Sequence, residues 1–356
     1  MQALPRENLR QLARLLQGMT AVRTDTRDAA TLSPPHERAL ASALGLASHE
    51  TPDGLLPWAA KDAAELLNAG NDKAWAWVTP CHWAMGHLHA TLIDPAALAL
   101  REDESRALLA IMQPYFETDG ITLHFLTPER WLAEGELFRH LPTASLDRVL
   151  ARNVDAWLPG DRRQAERSAG PPQASSAPEG LEPAAPNLLE QVRTGDRGEA
   201  SREPRPARPR ALHEVKSVGV KTLTRLQNEM QMLLYTHPFN DAREANRQLP
   251  VNSFWLSGTG ALPANYLPRM LEISTPRELA QAVFKEDWAA YGEVWGRLDA
   301  GEIAVLLNRQ RAGETVHLTL CGEHSAQTFE SRKNGFFTKI SSFFAPTSIL
   351  NVLQKL

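Results

Sequence analysis

The chain has 356 residues, 43% of them hydrophobic and 22% charged, with a formal net charge of -4. That composition suits a globular protein with one large or two medium cores, and no basic block stands beside aromatics, which argues against nucleic acid as a partner. Cys81 and Cys321 are too few for a disulfide framework and fit a reducing compartment.

The opening "MQALPRENLRQLARLLQGMT" reads as an amphipathic helix without the uninterrupted apolar core of a signal peptide, and no later run reaches transmembrane length. The expectation is a cytoplasmic protein with no membrane partner. Further on, "AWAWVTP" and "HLHATLIDP" alternate in strand fashion, each closed by proline, with a turn near Met85 and Gly86 where they can pair. "LREDESRALLAIMQPYF" sets Leu100, Ala107, Leu108 and Ile111 at helical spacing behind an acidic first turn that suits the helix dipole. "GITLHFLTPERWLAEG" predicts two more strands, and "TASLDRVLARNVDAWLP" a helix opened by a Thr or Ser cap.

Eight of the 25 prolines fall between Ser168 and Ala211, where aromatic and β-branched residues nearly vanish. Such a stretch buries too little apolar surface to offset its ordering entropy, so residues 162–211 are expected to be a disordered linker or insertion. It separates an N-terminal α/β part, 1–161, from a C-terminal α/β part, 212–356, with the two parts able to form one fold. After it, "VKTLTRLQNEMQMLLYTHP" places Leu223, Leu226, Met230, Leu233 and Leu234 on one face of a long helix ending at Pro238. "LPVNSFWLSGTGALP" follows as a strand covered on both faces, expected to be central, running into a glycine turn. "PRELAQAVFK" and "DWAAYGEVWGRL" predict helices, and "EIAVLLN", "TVHLTLCG" and "AQTFES" strands, before an apolar stretch from Phe336 to Leu356. The fold class implied is α/β, a mixed sheet with flanking helices.

Two places could carry chemistry. In "CHWAMGHLHA", Cys81, His82, His87 and His89 fall close together, and His87 and His89 share a strand face at a spacing that zinc sites use. A site there would need further ligands and a supporting shell, and half-buried strand histidines are the commoner explanation of such a run. In "THPFNDAREANRQLPVNSFWLSGTG", His237, Asn240, Arg243, Asn252 and Ser253 meet a Gly-x-Gly turn at Gly258 and Gly260, whose amides could hold an anion. The same glycines serve a simple positive-φ turn, and Asn240 and Asn252 can simply cap backbone groups. Glu102 and Glu104 read as a solvated helix start unless a cleft buries them, and Trp75, Trp77 and Trp83 read as core packing or a carbohydrate platform. No nucleophile elbow, P-loop or dinucleotide fingerprint occurs.

The run Glu229–Gly260 resembles two related groups: proteobacterial proteins labelled RpfE-type regulatory or phosphoglycerate-mutase-like, and archaeal-type cofactor-independent phosphoglycerate mutases. The resemblance rests on His237, Pro238, Asn240, Arg243, Asn252, Trp255, Gly258 and Gly260, in order and spacing; Asp94, Pro95, Arg130 and Trp131 in the N-terminal part resemble the first group. It implies a reduced alkaline-phosphatase-like fold, a ligand site at His237, Asn240, Arg243, Asn252, Ser253, Trp255, Gly258 and Gly260, and, for the mutases, two metals held by Asp and His with a hydroxyl nucleophile. The sequence departs from that inventory. Asp53-Gly54 and Asp119-Gly120 lack the expected surroundings, and Ala144 and Ser145 stand where a Pro-His pair is expected. The leading expectation is therefore a non-catalytic regulatory or binding protein without a cofactor, whose partner is another protein or a small phosphorylated metabolite. The alternatives are an Mn- or Zn-dependent phosphomutase or phosphatase, and a motif that serves packing alone.

Overall fold

The computed structural model describes residues 9–48, 50–86, 89–159, 210–269, 271–331, 352–354 and 356. Residues 162–209 of the expected linker, His87, and most of the apolar C-terminal stretch lie outside that set.

The main sheet has the order β5-β6-β2-β7, built from β2 (Ala74–Cys81), β5 (Thr122–Thr127), β6 (Arg130–Glu134) and β7 (Ser253–Ala261). Period-two alternation sorts its side chains. Ala74, Ala76 and Val78 of β2, Trp131 and Ala133 of β6, and Phe254 and Leu256 of β7 enter one core. Trp75 and Leu132 enter a second core on the opposite face. Helices α4 (Glu102–Glu117) and α6 (Arg210–Tyr235) cover the first face through Leu108, Met112 and Phe116 and through Leu223, Leu226, Met230 and Leu234. The opposite core is closed by α2 (Pro35–Leu44), through Ala41, and α3 (Trp58–Leu67), through Trp58, Ala59 and Ala63. The β7 strand is buried on both faces, as Phe254-Trp255-Leu256 predicts, but among the described residues it pairs with β2 alone and forms a sheet edge.

A second sheet, β1-β9-β8, joins β1 (Met19–Thr26) to β8 (His317–Cys321) and β9 (Ser325–Ser331). Its core takes Leu12, Leu15 and Leu16 from α1 (Arg10–Gln17), Trp295 from α9 (Trp288–Leu298) and Leu307 from α10 (Ala304–Arg311). The α1 N-terminus has no cap of its own; the carboxylate of Asp299 accepts from Gln11 N at 3.1 Å and Leu12 N at 2.8 Å instead. A short hairpin of β3 (Trp83–Met85) and β4 (Ala90–Leu92) turns near Gly86 as expected, although β2 itself pairs elsewhere. Both larger sheets hold strands from both sides of the 162–211 stretch, and every strand pair among the described residues is antiparallel within a mixed α/β architecture.

Besides the edge position of β7, two elements differ in type or extent from expectation. "EIAVLLN" is helical: α9 continues through a π-turn at Asp299–Ile303 into α10, so its apolar run packs by helical rather than strand spacing. The helix expected over "TASLDRVLARNVDAWLP" stops after α5 (Leu146–Val149), where Ala151 takes φ of 56° and only a short 3-10 turn at Asp155–Trp157 follows.

Candidate functional site

The residues singled out in 237–260 lie along α7 (Pro238–Ala245), the following loop and β7, and their polar atoms point into the protein. His237 caps α7, its Nδ1 accepting from Phe239 N at 3.1 Å. Asn240 donates to Leu234 O and Val251 O at 2.8 and 2.7 Å and accepts from Val251 N at 3.0 Å, which ties the end of α6 to the entry of β7. Asn252 clamps Trp83, accepting from its N–H at 2.8 Å and donating to its carbonyl at 3.0 Å. The indole of Trp255 donates to Ala144 O at 3.0 Å, and Ser253 Oγ is buried without a hydrogen-bond partner.

Arg243 is 1% exposed. Its guanidinium donates to Leu249 O at 2.9 Å, to Leu98 O at 2.5 Å and to Glu104 Oε1 at 3.3 Å. Burial lowers its pKa, partly against the attraction of Glu104. Gly258 and Gly260 sit within β7, where the chain continues rather than reverses. Trp75 pairs with Gly260 but Trp77 with Ser257, so the strand bulges there, and Gly258 at φ 63° accommodates the bulge. A Cβ on Gly258 would stand 2.7 Å from the Trp77 ring. Beside the bulge lies a polar knot that the sequence reading passed over: buried Thr259 Oγ1 contacts Gly54 O, Leu141 O and Thr143 Oγ1 at 2.8 to 3.1 Å.

Of the cysteine–histidine run, Cys81 is buried in the core with Leu32 and Trp83, and desolvation pushes its thiol up, away from the thiolate a metal needs. His82 contacts Pro250 O through Nδ1 at 2.9 Å, and His89 is exposed. Glu102 is paired with Arg106, while Glu104 closes a capping box on Arg101. Trp75 and Trp83 are buried; Trp77 is half-buried, bonded to Asp62 and covered by the Arg130 guanidinium 4.3 Å from its ring.

Polar groups gather instead around α2, which the sequence reading did not single out. On one side, Glu37 accepts from Ser145 Oγ at 2.5 Å, and Asp147 pairs with His36 Nε2 at 2.9 Å and with Arg277 at 2.7 Å. Burial raises the Glu37 carboxyl, outweighing the lowering by His36 and Ser145. Burial also raises Asp147, but the bonds from His36 and Arg277 outweigh it and leave that carboxyl lowered. On the other side, Arg38 and Ser42, one turn apart, line an open cleft of about 220 Å³ between β1, α2 and residues 47–48 and 51–56. The signal available in sequence was "SPPHER": a proline-started helix carrying three charged or titratable residues in its first turn.

A two-metal centre of the kind the resemblance implies does not fit these residues. Asp53 accepts from Leu32 N and Ser33 N at 2.7 and 3.0 Å, and Asp119 holds Arg225. Among the described residues, His36, Glu37 and Asp147 alone bring three donor atoms within 4.8 Å of one another. The Arg277 guanidinium already bonds two of them, lying 3.1 Å from His36 Nε2, and so supplies the cation there.

No protein-family model matches the chain, and no curated protein does. The chain is similar to the solved cofactor-independent phosphoglycerate mutase from Thermoplasma acidophilum DSM 1728, at 13% identity and a TM-score of 0.29, over 100% of this chain and 93% of that one. A likeness of that size carries no argument about fold or activity. No described helix is long and apolar enough to cross a membrane.

Proposed function

We propose that the protein is a non-catalytic regulatory or binding protein, acting in the cytoplasm on a small phosphorylated metabolite or another protein. The observation that carries this reading is Arg243. It is the cation of the 237–260 run best placed by sequence to grip a phosphate, and it spends its donors on two backbone carbonyls and Glu104. With Asn240 and Asn252 also bonded to backbone, that run works as a frame. Solvent-facing hydrogen-bonding groups gather instead at α2, in the cleft beside Arg38.

The second reading, a metal-dependent phosphatase or phosphomutase, draws on the three donors at His36, Glu37 and Asp147. Turnover assays separate the two. Purified protein with Mn or Zn in excess, given 3-phosphoglycerate or p-nitrophenyl phosphate, is expected to release no phosphate and form no isomer above the protein-free rate. Turnover that disappears in Asp147→Asn refutes the binding-protein reading in favour of the metal-dependent one.

A further inference from the structure

The cleft beside α2 is built from hydrogen-bond donors. Arg23, Arg27 and Arg38 line it against two carboxylates, Asp25 and Asp53, and both carboxylates are engaged. Asp25 accepts from Arg38 through Nε at 2.8 Å and Nη2 at 3.4 Å, and Arg27 Nε lies 3.5 Å from it. Asp53 accepts the two backbone N–H groups of Leu32 and Ser33. Arg38 is 6% exposed and also held by Ser33 O and Thr31 Oγ1, so it forms a fixed floor, while Arg23 and Arg27 stand exposed at the rim.

Six hydroxyl-bearing residues, Thr24, Thr26, Ser33, Ser42, Ser48 and Thr51, share the lining. Ser42 Oγ accepts from Arg23, Ser48 Oγ from Glu50 N, and Thr51 Oγ1 from Ser48 N. A hydroxyl that serves as an acceptor still carries one O–H to donate. A ligand entering this cleft therefore meets guanidinium and hydroxyl donors, while the two carboxylates are already bonded to donors of the protein, which favours a ligand rich in acceptors. The volume of about 220 Å³ corresponds to roughly seven waters of liquid, enough for a molecule of triose size.

We propose that this cleft binds a small hydroxylated anion, with its phosphate or carboxylate at Arg23 and Arg27 and its hydroxyls toward Ser48 and Thr51. The proposal rests on the binding-protein reading and gives the class of its ligand. Charge-assisted bonds to two guanidiniums supply the selectivity for an anion over a neutral polyol.

The test is thermal-shift and calorimetric titration of the full chain with sn-glycerol 3-phosphate, D-glycerate, inorganic phosphate and glycerol, at ionic strength matched with NaCl. At least one of the two organic anions is expected to raise the melting temperature and saturate, with glycerol inert; which one does so distinguishes phosphate from carboxylate. The double variant Arg23→Gln/Arg27→Gln, at two exposed positions, is expected to weaken that binding at least tenfold. Should that variant melt early, Ser42→Ala, which removes one lining hydroxyl, is expected to weaken binding several-fold. No saturable shift up to tens of millimolar, a shift that NaCl reproduces, or full-strength binding in both variants overturns the assignment. Because turnover is assayed separately, an empty cleft in a protein without turnover sinks the ligand class alone.

Discussion

Replacing Arg243 by Met removes a guanidinium that fills a closed space between α7, the loop before β7 and the segment entering α4. The replacement keeps the aliphatic bulk and deletes the charge. Two carbonyls, Leu249 O and Leu98 O, lose their side-chain donor, and Glu104, 13% exposed, loses one of its cations. Taking one partner from a buried ion pair costs about 3–5 kcal/mol, and each stripped carbonyl about 1–3 kcal/mol. Glu104 still accepts from Arg101 N at 3.0 Å and touches solvent, which places its share at the low end. The expected loss is about 5 kcal/mol, or a melting temperature lower by roughly 7 °C for a protein of this size. Urea titration followed by tryptophan fluorescence measures it. Glu104→Gln on the Arg243→Met background should add less than it does alone, since the two share one interaction. An Arg243→Met protein within 1 kcal/mol of the parent, but unable to bind an anion the parent binds, would refute the structural role assigned here.

Gly258→Ala is expected to lose about 2–4 kcal/mol, because a left-handed alanine is strained and its Cβ meets the Trp77 ring at 2.7 Å; denaturation midpoints check it. Asn252→Ala breaks the clamp on Trp83 and should cost about 1–3 kcal/mol without altering affinity for any anion that the α2 cleft binds, as calorimetry would show. Removing the trans cap with Asp299→Ala should lower stability by about 1–2 kcal/mol and speed proteolysis within α1, read by mass spectrometry of early fragments. The two carboxyls beside α2 should respond to pH in opposite senses. The raised Glu37 favours its neutral form in the fold, so its contribution is full below the ordinary value of 4.5 and fades as pH rises; Glu37→Gln should therefore look more stabilising at pH 7 than at pH 4. The lowered Asp147 contributes above the ordinary 3.8 and loses that contribution on acidification, so Asp147→Asn should cost most near neutrality. Melting temperatures of both variants from pH 3 to 8 decide whether the signs are right.

Much of the scaffold was legible because its periodicity is strong. Leu223, Leu226, Met230 and Leu234 fall on one helical stripe and are buried together, and the alternation of "AWAWVTP" matches a strand whose faces enter different cores. The failures have local causes. "EIAVLLN" is apolar and β-branched enough to suit a strand, and the π-turn that extends α9 into it leaves no sequence mark. The Gly258–Gly260 pair reads as a turn because nothing local reveals that β2 lies opposite and forces a bulge. The α2 centre assembles Glu37, Ser145, Asp147 and Arg277 from three distant segments, so no spacing rule could gather them. Arg243 could be recognised as unusual, but not that Leu98 and Glu104, well over a hundred positions earlier, would receive its donors.

Two buried arginines show how a framework and a binding surface differ in one chain. Arg243 and Arg38 are both under a tenth exposed, and both are gripped by a carboxylate and backbone oxygens. Around Arg243 those groups close the space, and its fixed charge holds α7 to the rest of the fold. Around Arg38 the same arrangement leaves a cleft, because β1 and residues 47–48 and 51–56 stand on either side of it and place exposed guanidiniums and hydroxyls at its edge. Neutralising Asp25 through Arg38 matters to function on this view. An open carboxylate at the cleft floor would repel the anion that Arg23 and Arg27 attract, so the buried pair fixes the sign of the site while the rim arginines make the contact.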